Sequence, residues 1–314
     1  MTDIIAQPPS RRSLLQVAAL SALFIALQPM AVLAQDASPK RIVAVGGAVT
    51  EILYALGAEE RIVGIDTTSL YPPSALKDKP NVGYMRQLSA EGVLSLSPDI
   101  VLVSAGSGPP PALKLLEEAG VRLVTIPDTP TAPGIIEKIH AIGRAVGLEA
   151  KAAALASDVE KRFAAVAKAR ETVTKPVKAL FVLAMQSGRP LVAGTGTAAD
   201  GMMALAGATN VGAGFSGYKA MTDEAIITAA PDVVVMMARE GLHADPDTVF
   251  ANAALSATPA GAARRLVTAD GHWLLGFGPR APEALAYLMQ AFYPDLPAVK
   301  ALSASEHLPG ANGK

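Results

Sequence analysis

The chain has 314 residues, enough for two ordinary domains, and its hydrophobic residues make up 51% while aromatics make up only 4%, so any core is aliphatic. A net charge of −1 lacks the basic excess by which nucleic-acid-binding proteins are recognised. With no cysteine anywhere, disulfides, thiolate metal sites, a cysteine nucleophile and a lipid-modified cysteine are excluded together.

The chain opens on a targeting segment. Ser10-Arg11-Arg12-Ser13-Leu14-Leu15-Gln16 precedes an apolar run from Val17 to Leu33, and Val32-Leu33-Ala34 offers the small residues that signal peptidase reads. The run is interrupted by Gln28 and Pro29 and falls short of the roughly 20 apolar residues of a membrane span. Residues 1–34 are therefore expected to be a signal peptide. Its paired arginines are twin-arginine-like, and an ordinary secretory n-region gives the same pattern, so export is expected by either route. Removing it leaves 25 basic and 27 acidic residues, an exported, soluble and mildly acidic chain.

From Arg41 onward strands and helices alternate. Arg41–Val45 reads as a buried strand running into Gly46-Gly47, Thr50–Leu56 as a helix stopped by Gly57, and Ile62–Ile65 as a second strand. A polar loop through Tyr71-Pro72-Pro73 follows. Ala90–Leu96 and Ala112–Ala119 read as helices, Ile100–Val103 and Val121–Val124 as strands. Alternation of this kind predicts an α/β lobe with a central parallel sheet over residues 40–146. Leu148–Lys175 contains neither glycine nor proline, and Ala152, Leu155, Val159 and Phe163 recur on one helical face, which predicts one long rigid linker helix over 147–175. A second α/β lobe follows over 176–308, opening on the apolar run Ala179–Leu183.

The two lobes repeat one another. Ser89-Ala90-Glu91 leads through Val93-Leu94 to Pro98-Asp99-Ile100, and Thr222-Asp223-Glu224 leads through Ile226-Ile227 to Pro231-Asp232-Val233. Each glutamate stands seven residues before its Pro-Asp, and each Pro-Asp opens an apolar strand. Two like lobes leave a cleft between them, and in parallel sheets ligands sit beyond the carboxyl ends of the strands.

Catalytic constellations are weak in the sequence. It contains no G-x-S-x-G, no H-E-x-x-H and no phosphate-binding P-loop, and Gly194-Thr195-Gly196-Thr197 reads as a turn. His140, His243, His272 and His307 are scattered without metal-ligand spacing, and His140 on an apolar-periodic helix reads as half-buried structure.

Two lobes on a helical strut resemble the class III substrate-binding proteins of ABC importers, which carry haem, ferric siderophores or cobalamin. Gly83-Tyr84-Met85-Arg86-Gln87-Leu88-Ser89-Ala90-Glu91-Gly92 is similar to the corresponding loop of the hemin-binding branch, with support from Phe215–Lys219 and Gly278–Ala284. The resemblance covers residues 40–295. It implies two Rossmann-like lobes with central parallel sheets joined by one long helix, and haem as transported ligand, not as a catalytic cofactor. It makes Tyr84 the axial ligand of the haem iron and Arg86, Arg239 and Tyr218 haem-contacting residues. A phenolate oxygen suits hard ferric iron, and a nearby cation such as Arg86 favours the ionised phenol. Without the resemblance, Tyr84 reads as a loop aromatic, Arg86 and Arg239 as exposed cations, and Tyr218 as core. No histidine here matches the second-lobe histidine of some relatives; His243, four residues past Arg239, is the nearest.

The resemblance also makes Glu91 and Glu224 the carboxylates that dock on the two membrane subunits of an importer, a pairing that suits like lobes meeting like subunits. The expectation is a monomeric periplasmic binding protein, not a lipoprotein and not an enzyme, that captures haem between its lobes and delivers it to a permease. A ferric siderophore or cobalamin on the same fold is the rival cargo, and an exported enzyme or sensor is the rival class.

Overall fold

The computed structural model describes residues 38–186, 188–238 and 245–305. The leader 1–34, Arg239, His243 and His307 fall outside the described residues. None of the described helices is long and apolar enough to cross a membrane.

The first sheet is parallel throughout, with β1 (Ile42–Val45) between β2 (Ile62–Ile65) and β5 (Ile100–Ser104), and β6 (Arg122–Ile126) beyond β5. All four residues of β1 are fully buried, which explains why its sequence is an unbroken apolar run and not an alternation. Alternate residues still part to opposite faces. Ile42, Ala44, Ile100 and Leu102 enter one apolar cluster, while Val43, Val45, Val101 and Val103 enter another. Two short strands, β3 (Gly83–Tyr84) and β4 (Gln87–Leu88), pair antiparallel as a small hairpin outside this sheet.

The second sheet has the order β10 (Tyr218–Ala220), β8 (Arg189–Ala193), β7 (Lys178–Gln186), β11 (Val233–Ala238), β12 (Leu266–Asp270), with β9 (Thr209–Asn210) pairing the start of β7. The central strands β7, β11 and β12 run parallel, as expected, while β8 is antiparallel to β7 and β10 to β8. Only two residues separate Gln186 from Arg189, too few for the crossover that a parallel pair needs.

The strut is the helix Glu149–Arg170, whose 22 residues span about 33 Å. Gly147, in left-handed geometry at φ 70°, ends the preceding helix Ala132–Val146 and turns the chain into it. It stops short of Lys175 because Thr172-Val173-Thr174 is β-branched, and the Thr172 hydroxyl bonds the Ala169 carbonyl at 2.7 Å. Its buried stripe is Ala152, Ala156, Val159, Phe163, Val166 and Ala169, with Leu155 only partly covered. That stripe belongs to the cluster that also holds Ile42 of the first sheet and Val235 of the second. The lobes therefore share one core, at roughly 1.5–3 kcal/mol for each large aliphatic side chain it buries.

The internal repeat is visible as geometry. Ser97 and Ala230, the residues before each Pro-Asp, both have φ 45°. The Asp99 carboxylate accepts the backbone N–H groups of Lys40 and Arg41, and the Asp232 carboxylate accepts that of Lys178. In each lobe this carboxylate ties the start of one central strand to that of its neighbour.

Candidate ligand-binding cleft

Tyr84 stands on the β3–β4 hairpin, 41% exposed. A two-residue turn, Met85-Arg86, joins the strands, and the hairpin is pinned from both sides. The Gly83 carbonyl accepts the N–H of Thr67 at 2.9 Å, from the loop after β2. Leu88 N–H donates to the Gly108 carbonyl and Gly108 N–H to the Met85 carbonyl, both 2.9 Å, tying the hairpin to the loop after β5. Both loops leave the carboxyl ends of strands, so Tyr84 sits where ligands of such sheets sit. Gly83 has φ 100°, and a Cβ there would press to 3.2 Å on the Gln87 carbonyl oxygen. The hairpin requires glycine at that point.

The loop after β2 is itself rigid. Asp66 is fully buried, and its carboxylate accepts the N–H of Gly46 at 2.9 Å, the hydroxyl of Thr68 at 2.7 Å and that of Ser69 at 2.9 Å. A buried carboxylate met by this many donors fixes the loop's path.

The second lobe presents Tyr218 at the start of β10, opposite Ala193 of β8. Burial pushes the Tyr218 phenol above its usual range; Thr197, the charge of Arg86 and the Ala199 backbone act in the opposite sense. Arg86 is exposed on the first lobe. Beside Tyr218, the ammonium of Lys219 lies 5.6 Å from the centre of the Phe215 ring. The candidate contact Arg239 and the weaker candidate His243 lie outside the described residues.

Glu91 and Glu224 occupy equivalent places. Each is exposed and is the second residue of its helix, Ala90–Ser95 or Asp223–Ala229. Ser89 caps the first by accepting Gly92 N–H at 3.0 Å, and Thr222 caps the second by accepting Ala225 N–H at 3.3 Å. Glu224 is held below the usual carboxylate range by its own backbone N–H first and then by the Thr222 side chain. A carboxylate in the first turn also suits the helix dipole.

Sequence reasoning missed the contact between the lobes at Glu51 and Arg280. The Arg280 guanidinium meets the Glu51 carboxylate at 3.0 Å and lies 3.5 Å from the centre of the Tyr71 ring. The two charges are 229 residues apart, and no spacing rule reaches that far. His140 is half-buried as expected, but the fully buried polar side chain of its helix is Lys138, which periodicity alone did not single out.

Residues 42–272 match the family described as periplasmic binding protein. The chain belongs to the periplasmic binding protein family. The solved structure of the periplasmic heme-binding protein BhuT in complex with two hemes is similar, with a TM-score of 0.77 and 41% identity, covering 84% of this chain and 99% of that one. An uncharacterized ABC transporter substrate-binding lipoprotein of Bacillus subtilis is 31% identical over 82% of this chain and 81% of its own length. A cobalamin-binding protein of Halobacterium salinarum is 27% identical over 82% of this chain and 70% of its own length. These similar proteins are binding proteins, and family membership places this periplasmic binding protein outside the cytoplasm.

Proposed function

We propose that this periplasmic binding protein captures ferric haem between its lobes, with the Tyr84 phenolate on the iron, and hands it to the membrane subunits of an ABC importer. The observation that carries the reading is an exposed phenol on a hairpin pinned at the carboxyl ends of the first sheet. A phenolate is a hard oxygen donor suited to ferric iron. Arg86 and Lys219 supply positive charge for the propionates, and Tyr218 and Phe215 offer ring faces for the porphyrin. Arg239 belongs to the same proposal as a cation at the carboxyl end of β11.

Glu91 and Glu224 serve as the two docking carboxylates, matched in cap and in helix position, one for each of two like subunits. The protein works as a monomer, without catalysing a reaction. Residues 1–34 act as the export signal, residues 40–146 and 176–308 form the lobes, and 147–175 the linker. The chain contains no cysteine to carry a lipid, so it acts as a free periplasmic protein.

The test is a hemin titration of the chain lacking residues 1–34. An intense Soret band with tyrosinate character is expected, and Tyr84→Ala weakens binding at least tenfold. Cobalamin is the second reading, favoured by the archaeal relative. Binding of cyanocobalamin in preference to hemin, or hemin binding untouched by Tyr84→Ala, overturns the assignment.

A further inference from the structure

The segment Phe277–Glu283 is gripped from two directions. The fully buried Lys138 ammonium donates to the Phe277 carbonyl at 3.1 Å, across the lobes. Arg162 on the strut donates to the Pro279 carbonyl at 3.0 Å and to the Glu283 carboxylate at 2.9 Å. Glu51 in the first lobe accepts both the Arg280 backbone N–H at 3.2 Å and its side chain at 3.0 Å. Phe277 is buried at φ 48°, a conformation that costs a non-glycine residue and persists only where its surroundings impose it. Gly278 leaves no room for slack, since a Cβ there would lie 3.2 Å from the Glu51 carboxyl group.

Within this segment Arg280 also touches the loop that leads to the ligand hairpin. Its guanidinium stacks on Tyr71, whose loop donates through Thr67 N–H to Gly83, the residue before Tyr84. The path therefore runs from the second lobe through Arg280 and Tyr71 to the loop after β2, and from there to the hairpin.

We infer that Arg280 is a positioning residue of the binding cleft: clamped by Glu51 and stacked on Tyr71, it fixes the ligand hairpin relative to the second lobe. Arginine suits this task because one planar group forks onto a carboxylate with its edge while its face meets an aromatic ring; lysine offers neither. As a statement about haem the inference rests on the proposed cargo, but as a statement about hairpin placement it does not.

The absence of cysteine allows a direct test on the ligand-free chain. Spin labels at Gln87→Cys on the hairpin and Ala220→Cys on the second lobe, both exposed, report the distance across the cleft. A single narrow distribution is expected for the parent and a broadened one for Arg280→Ala and Tyr71→Leu. With hemin bound, the same substitutions speed its release about tenfold, equivalent to roughly 1.4 kcal/mol. Where Arg280→Ala does not fold, Arg280→Lys, which keeps the charge but not the planar face, carries the same expectations. An unchanged distribution in a folded Arg280 variant overturns the inference, even if hemin release changes. Broadening in a protein that ignores hemin upholds Arg280 as a positioning residue and removes the cargo assignment instead.

Discussion

Lys138 offers the sharpest test of how the lobes are joined. Its ammonium is fully buried, 2.6 Å from the Asp128 carboxylate and 3.1 Å from the Phe277 carbonyl, while the Asp128 side chain remains 34% exposed. Lys138→Met keeps the volume and removes both bonds. Breaking a fully buried pair by deleting one partner costs about 3–5 kcal/mol. Asp128 is a third exposed and keeps its 2.8 Å bond from the Ser104 hydroxyl, so its share falls to about 1–2 kcal/mol once solvent screening is allowed for. The abandoned Phe277 carbonyl adds about 1 kcal/mol, the low end of the cost of an unsatisfied buried acceptor. The expected loss is about 2–3 kcal/mol, or roughly 4–12 °C in Tm for a chain of this size. Urea unfolding at neutral pH, followed by far-UV circular dichroism, reads it as a lower midpoint at unchanged slope. Replacing both partners, as Lys138→Met with Asp128→Leu, should recover part of the loss, because a buried pair exchanged for packed apolar groups is often neutral. A Lys138→Met protein as stable as its parent would refute the reasoning.

Three further outcomes follow from the geometry. Gly83→Ala forces a side chain into left-handed backbone against the Gln87 carbonyl, at roughly 1–3 kcal/mol of local strain; hemin affinity should fall while the global unfolding midpoint moves little, and equal affinity would dismiss the hairpin's role. Burial first of all raises the phenols of Tyr54, Tyr218, Tyr287 and Tyr293 above their usual range, so the fold favours their protonated form. That stability is complete below the ordinary tyrosine range near pH 10 and is lost as pH rises through the higher folded-state values. Urea midpoints should therefore fall across alkaline pH, with a shallower fall in Tyr287→Phe; a flat profile contradicts it. Glu91→Ala and Glu224→Ala should each lower uptake in cells with a cognate permease while leaving hemin affinity unchanged, and uptake equal to the parent's would count against docking.

The core strands were legible because burial on both faces leaves an unambiguous sign, an unbroken β-branched run. Ile62–Ile65 was read to the residue, and Ile100–Val103 lacked only Ser104. The strut was legible in its composition, but its end was not, because Thr172-Val173-Thr174 acts through the loss of side-chain freedom and not through a glycine or proline signal. Gly194–Thr197 is more than a turn: Thr197 caps the helix Ala198–Leu205 by accepting Asp200 N–H at 3.1 Å, and Gly194 admits Phe215 where no side chain would fit. At the site, Tyr84 stood out through its loop, whereas the hairpin that presents it depends on bonds to Thr67 and Gly108, which only the fold brings near. Arg280 lies within a matching stretch, yet its partner Glu51, 229 positions away on another helix, carries no sequence signal of its own.

The grip on Phe277 and Arg280 carries a consequence for the order in which the chain matures. Lys138 waits for an acceptor 139 positions downstream, and Glu51 for a donor 229 positions downstream. As a nascent polypeptide emerges from its first residue, Lys138 can already meet Asp128 within the first half, but its bond to Phe277 and the Glu51 contact with Arg280 wait until almost the whole sequence has been synthesised. The first half can assemble its own sheet early, but its seam with the second half is sealed last, by the stretch that leaves the ribosome near the end.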